Sequence, residues 1–296
     1  MKPAPFDYVA PATVEEVLVQ LARASGDATI LAGGQTLMPL LALRMSTPSL
    51  LVDINRIDAL KGITHVTDGT LIGAATRQRE IIADGRLAKA LPALVQATRH
   101  IGHHQTRNRG TVGGSIALGE PAAELPASAV ALGAVIEAQS TRGVRLIAAE
   151  ELYLAPYATC LEPDELVTAI RFPDWSRRTV PVFREIARRP GDFALVGLVG
   201  ALEFDGSRVV RAGLAWFGMG PTPMKLRKAE AAIVGQSVRS GDVESIAELA
   251  IADTDPFTDR HTTAEYRLTV GRRVFASALS QALEARERGP EPEVIT

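Results

Sequence analysis

The sequence predicts an α+β fold, and three observations carry that expectation. Strand and helix patterns alternate from the N-terminus to about residue 139. The stretch Phe172-Pro-Asp-Trp-Ser-Arg-Arg-Thr-Val-Pro181 then interrupts the pattern with turn-forming residues. Beyond it strand-like runs come first and helical runs then dominate.

Composition narrows the function classes. The chain has 296 residues, 46% of them hydrophobic, enough to bury a sizeable core. A net charge of −2 with 22% charged residues gives no basic bias toward nucleic acid and no acidic solvating tail. Cys160 is the one cysteine. It excludes an internal disulfide, a cysteine-ligated iron–sulfur cluster and a cysteine-type zinc site. Cys160 reads as a small buried hydrophobe. The opening residues MKPAPFDY lack the apolar run of a secretory signal, and no stretch approaches the roughly 20 apolar residues of a membrane helix. The expectation is a cytoplasmic protein with no membrane span.

The elements follow in order. Phe6–Val9 is a short strand. Thr13 and Glu16 form a T-x-x-E helix start, and Val14, Val17, Leu18 and Leu21 then mark one helix face, with Gly26 near its end. Ala28–Leu31 is a strand followed at once by Gly33-Gly34, Gln35, Thr36 and the apolar run Leu37–Leu43. Pro48 ends that run, and Leu50–Ile54 is a further strand. Leu71–Ala74 reads as a strand, with helices over Arg77–Ala83 and Leu87–His100. The polar stretch His103–Arg109 leads to a second glycine loop, Thr111-Val-Gly-Gly-Ser115. A helix over about Ala122–Leu132 and a strand over Ala134–Gln139 follow. After the boundary come strands at Val182–Ile186, Leu195–Phe204 and Val209–Phe217. Helices are expected at Lys228–Val234, Val243–Ala252 and Thr263–Arg288, with a mobile tail over 289–296.

The two glycine loops are the candidate chemistry. A glycine turn between a buried strand and a helix is where α/β proteins bind phosphorylated ligands. Glycine permits positive φ and close ligand approach, and successive amides converge into an anion-binding nest. Thr36, Thr111 and Ser115 add hydroxyl donors. Two such loops suit the two ends of a pyrophosphate. Neither is a G-x-G-x-x-G or a P-loop motif, and a plain tight turn is the rival reading of each.

The residues also carry a resemblance. Ala32-Gly-Gly-Gln-Thr-Leu-Met-Pro39 resembles the first FAD loop of the medium subunits of molybdenum hydroxylases. That family includes the molybdenum–copper carbon monoxide dehydrogenases, the xanthine dehydrogenases and the bacterial N-heterocycle hydroxylases. Gly102-His-His-Gln-Thr-Arg-Asn-Arg-Gly-Thr-Val-Gly-Gly-Ser-Ile-Ala117 resembles the second loop, and Glu120-Pro-Ala-Ala-Glu-Leu-Pro126 is similar to the family's D-P-x-x-D-L-P. Phe183-Arg-Glu-Ile-Ala-Arg-Arg-Pro-Gly-Asp-Phe-Ala194 and Ala264-Glu-Tyr-Arg267 resemble two later segments, so the likeness runs along nearly the whole chain.

The resemblance implies a two-subdomain FAD-binding fold of the vanillyl-alcohol-oxidase (PCMH) type. Residues 1–57 and 58–176 would form the α/β subdomains. Residues 177–288 would form a C-terminal three-stranded antiparallel sheet with a helix cluster. It implies that Leu31, Ala32, Gly33, Gly34, Gln35, Thr36 and Leu37 hold FAD together with Thr111, Val112, Gly113, Gly114 and Ser115. Glu124 stands where the family has an aspartate near the cofactor hydroxyls. Leu161 stands at a backbone contact near the isoalloxazine ring, and Arg184 where some members place a lysine near the flavin. Ile101 stands at an aromatic position beside the adenine. Glu120 is a further binding candidate, with a helix-terminal charge as its rival reading. Asp192 reads as a turn cap or a site residue. Arg107 and Arg109 read as a solvated face or as phosphate or partner contacts.

The implied function is electron transfer. A large molybdopterin-binding subunit would hydroxylate the substrate, and a small subunit with two [2Fe-2S] clusters would relay electrons to FAD here. No catalytic residue and no metal ligand is expected in this chain, nor a nucleic-acid partner; a dimer of heterotrimers is expected. The rival readings are a stand-alone flavin oxidase and a non-redox nucleotide-binding scaffold.

Overall fold

The structure, a computed structural model, describes residues 2–288. The expected tail over 289–296 lies outside the described residues. Among the described residues no helix is long and apolar enough to cross a membrane.

A parallel three-stranded sheet comes first, in the order Asp7–Val9, Leu50–Asp53, Ala28–Leu31. The helix Val14–Ala24 covers it with Val17, Leu18 and Leu21, the face that the spacing marked. Thr13 caps that helix, its hydroxyl accepting from the Glu16 amide at 3.2 Å. Glu16 reaches back to the amide of Ala12 at 2.8 Å rather than to that of Thr13.

Next comes an antiparallel five-stranded sheet. Its order is Ile63–Val66, Gly69–Gly73, Leu166–Pro173, Val135–Ser140, Gly143–Ala148. Three of these strands escaped the sequence reading. Ile63–Val66 and Gly143–Ala148 are edge strands, and Val144 and Leu146 on the latter are mostly exposed, so no apolar face marks it. The expected helix over Leu87–His100 is two helices, Gly85–Ala90 and Pro92–His100. Pro92 lacks the amide that a continuous helix needs and pushes Leu91 out of the helical region, to ψ 61°.

The last sheet is antiparallel and has four strands, not three. Met224–Lys225 adds a two-residue rung beyond Thr179–Ile186, Val196–Asp205 and Arg208–Phe217. Helices Arg227–Ile233, Val243–Ile251 and Ala264–Arg288 accompany it.

The helix Glu124–Leu132 is buried along its whole length. It packs on strands 196–205 and 208–217 of the last sheet and on the helix Pro92–His100. One apolar cluster accordingly joins Ile72, Ile136 and Ile170 to Leu125, Val130, Val199, Ala215 and Phe217.

Candidate functional site

The first loop takes its shape from Gly34, whose φ of +70° is the left-handed region that side chains resist. Among the described residues, the amides of Gly33, Gly34, Gln35 and Thr36 meet no protein acceptor. They stand at the start of the helix Leu37–Leu43, where Thr36 makes no capping bond. Four amides without protein partners at a helix start are donors that an anion can take up.

The second loop differs from its expectation. Val112–Leu118 is a helix, and Gly113 and Gly114 lie in its first turn. The Val112 and Gly113 amides already donate to the carbonyls of Thr76 (3.0 Å) and Ala74 (2.8 Å). The Gly114 amide donates to the Thr111 hydroxyl at 3.2 Å. This segment therefore offers close approach and the Ser115 hydroxyl more than free amides. The polar stretch before it is also helical, over His104–Arg109.

The loops meet. A side-chain carbon on Gly33 would stand 2.6 Å from the Arg109 carbonyl oxygen and 2.8 Å from the Gly110 Cα. Two residues that the sequence reading passed over tie them together. Asn55 donates to the Ala32 carbonyl at 2.9 Å, and Arg77 donates both to the Asn55 side chain and to the Arg109 carbonyl. No local pattern marks this pair; folding alone brings residues 55 and 77 between residues 32 and 109.

Between the loops opens a cavity of about 370 Å³. Ala32, Gly33, Gly34, Gln35, Thr36 and Leu37 line one side of the expected set. Ile101, Thr111, Gly113, Gly114, Ser115, Glu120 and Glu124 complete what the structure gathers there. Leu31, Val112, Leu161 and Arg184 do not line it. Leu31 lies behind Gly34 and Val112 is buried; Leu161 packs on the central core. Arg184 lies in a separate groove with Gln96, Arg99, His100, Phe183 and Glu185. Gln78 and the largely exposed Phe193 are lining residues that the sequence reading missed.

The walls carry two carboxylic acids. Glu124 is 5% exposed, and burial first, then the neighbouring Glu185, pushes its pKa up to about 8. Burial also raises Glu185, to about 7. Glu120 accepts from the Tyr157 hydroxyl, whose pKa burial and that bond raise to about 12. Tyr157 holds a left-handed φ of 58° to reach it, and its amide donates to the Gly119 carbonyl at 3.1 Å.

These features fit a dinucleotide. The four amides of the first loop suit a pyrophosphate, the buried Glu124 suits a hydroxyl donor, and the side-chain oxygen of Gln78 is buried without a partner at the cavity wall.

The sequence pattern of the FAD-binding domain in molybdopterin dehydrogenases matches residues 4–175. The chain belongs to this family. That of the CO dehydrogenase flavoprotein C-terminal domain matches residues 181–282 of the same flavoprotein. This family member is 38% identical to the 6-hydroxypseudooxynicotine dehydrogenase complex subunit alpha of Paenarthrobacter nicotinovorans, over 96% of each chain. It is 32% identical to the carbon monoxide dehydrogenase medium chain of Hydrogenophaga pseudoflava, over 95% of this chain and 98% of that one. A solved structure of carbon monoxide dehydrogenase from Hydrogenophaga pseudoflava superimposes with a TM-score of 0.93 at 34% identity, over 97% and 99% of the two chains. The flavoprotein is an FAD-binding chain of the oxidoreductase class, with the α+β fold of that structure.

Proposed function

We propose that this chain is the FAD-carrying electron-transfer subunit of a molybdenum hydroxylase. The observation that carries the reading is one cavity walled by both glycine loops, with the amides of residues 33–36 meeting no protein acceptor among the described residues. The names of the relatives, a medium chain and a dehydrogenase complex subunit, support its place in a larger assembly. In that assembly a large molybdopterin-binding subunit hydroxylates the substrate, and a small [2Fe-2S] subunit delivers electrons to this chain. A dimer of such heterotrimers is the proposed complex.

The fold reading is of the two-subdomain PCMH type. Residues 1–57 correspond to the parallel sheet, 58–176 to the five-stranded sheet, and 177–288 to the four-stranded sheet with its helices; these are the proposed domains.

Bound FAD supplies an acceptor that takes electrons singly and releases them to an external oxidant. This chain's residues do the rest. The amides of Gly33–Thr36 hold the pyrophosphate, with the Ser115 hydroxyl as a further donor. Glu124 accepts from a cofactor hydroxyl, and that donor compensates the buried carboxylate. Ile101 offers an apolar surface to the adenine. Phe193 limits water entry at the mouth.

The test is an absorbance spectrum of the purified chain before and after dithionite. Bands near ~370 and ~450 nm that bleach on reduction are expected. A colourless chain that also takes up no added FAD refutes the proposal.

A further inference from the structure

Arg267 does not touch the cavity, yet its surroundings lead there. It sits in the first turn of the helix Ala264–Arg288 and is 2% exposed. A buried guanidinium is costly unless its donors are matched. Here the two terminal nitrogens reach three oxygens, while Nε is buried without a partner among the described residues. One nitrogen donates to the carbonyls of both Leu195 and Gly218, and the other to the Asp259 carboxylate at 2.8 Å.

Those carbonyls stand just past the last ladder pair of their strands, Gly197 with Phe217, so Arg267 closes the end of the sheet. Each leads to a different wall of the cavity. The Leu195 amide donates to the Ile186 carbonyl at 2.8 Å, which closes the base of the loop 187–194. That loop carries Phe193 to the cavity mouth and lays Gly191 against the His103 ring. The Gly218 amide donates to the Pro121 carbonyl at 2.9 Å, and Pro121 lies between the lining residues Glu120 and Glu124. Gly218 has φ +71°, and a side-chain carbon there would stand 2.8 Å from the Ala194 carbonyl oxygen. The two walls are thus fastened at one point.

We infer that Arg267 is a positioning residue for the cofactor cavity: by binding the Leu195 and Gly218 carbonyls together it sets Phe193 opposite the Glu120–Glu124 segment. The inference rests on the reading that this cavity holds FAD, but its first readout does not.

The experiment uses the full chain as wild type, Arg267→Gln, Arg267→Lys, Asp259→Asn and, as a stability-matched control, Phe275→Leu. Phe275 is a buried residue of the same helix in the C-terminal core, away from the cavity lining. Hydrogen exchange is measured without cofactor. Residues 187–195 and 120–124 are expected to lose protection in Arg267→Gln, less so in Arg267→Lys and Asp259→Asn, and not in Phe275→Leu. FAD titration is then expected to show about tenfold weaker binding in Arg267→Gln with an altered visible circular dichroism of the flavin, and no change in Phe275→Leu. Should Arg267→Gln fail to fold, Asp259→Asn carries the test with about a threefold loss of affinity. Unchanged exchange in both segments overturns the inference, whether or not any variant binds FAD. So does an equal loss of melting temperature in Arg267→Gln and Phe275→Leu with FAD affinity within twofold of wild type in both. Selective deprotection in a chain that binds no FAD upholds the positioning of the walls and refutes the FAD reading alone.

Discussion

Replacing Gly33 by alanine tests whether the two loops form one site. The added carbon would stand 2.6 Å from the Arg109 carbonyl oxygen, 2.8 Å from the Gly110 Cα and 3.1 Å from the Thr111 amide nitrogen. The first is roughly 1 Å short of the ~3.5 Å at which such atoms rest. All three neighbours are backbone, so relief requires the loops to part. Overpacking of this kind costs about 1–3 kcal/mol. If the parted loops return to contact when FAD binds, that cost appears as about 5- to 150-fold weaker binding. Gly34→Ala is the comparison. Its carbon would meet only the flexible side chains of Met38 (3.2 Å) and Leu31 (3.3 Å), leaving the strain of a φ of +70°, about 1–2 kcal/mol. Gly85→Ala, with nothing within 4 Å, is the neutral control. The assay is FAD titration of each chain by quenching of flavin fluorescence. An affinity for Gly33→Ala within twofold of wild type would refute the reasoning, because the loops would then not share the cofactor.

Three further outcomes are expected. Arg77→Met removes the link between Asn55 and the Arg109 carbonyl and weakens FAD binding about tenfold with little change in far-ultraviolet circular dichroism; equal affinity in the same titration contradicts it. Glu124 has a folded pKa of about 8 against an ordinary 4.5, so its contribution to stability is complete below the ordinary value and is lost as pH rises through the folded one. Thermal melts of the FAD-free chain should therefore fall between about pH 5 and pH 8.5 by more than those of Glu124→Gln, and added FAD should reduce the slope; parallel melting curves of wild type and variant would count against it. Tyr157→Phe strips the donor from Glu120 and should lower stability by about 1 kcal/mol, read as a lower denaturation midpoint in urea; an unchanged midpoint says that the bond contributes nothing.

Sequence made the two loops legible because their signal is local. Gly33-Gly34 follows a strand and precedes an apolar run, and the structure puts the lining there. The helix at Val112–Leu118 was not legible, since Thr-Val-Gly-Gly reads as a turn until the Thr111 hydroxyl caps it and the carbonyls of Thr76 and Ala74 receive its first amides. Arg184 was placed by motif alone: the resemblance implies a flavin neighbour, and the strand Thr179–Ile186 carries it in a groove with His100 and Glu185, outside the lining of the cavity between the loops. Asn55, Arg77 and Gln78 were invisible for a different reason. Each becomes meaningful only through partners 22 to 32 positions away in the chain, and no period or spacing encodes such a pairing.

The buried helix Glu124–Leu132 has a consequence for how the chain is cut. Two family patterns meet between residues 175 and 181, which invites expression of the first part alone. Yet Leu125, Val130, Val199, Ala215 and Phe217 belong to one apolar cluster that crosses that point. A fragment ending near residue 175 would leave that helix with its oily side bare to water, a sticky surface that invites clumping. The seam between the two patterns is thus not a place where scissors can safely go.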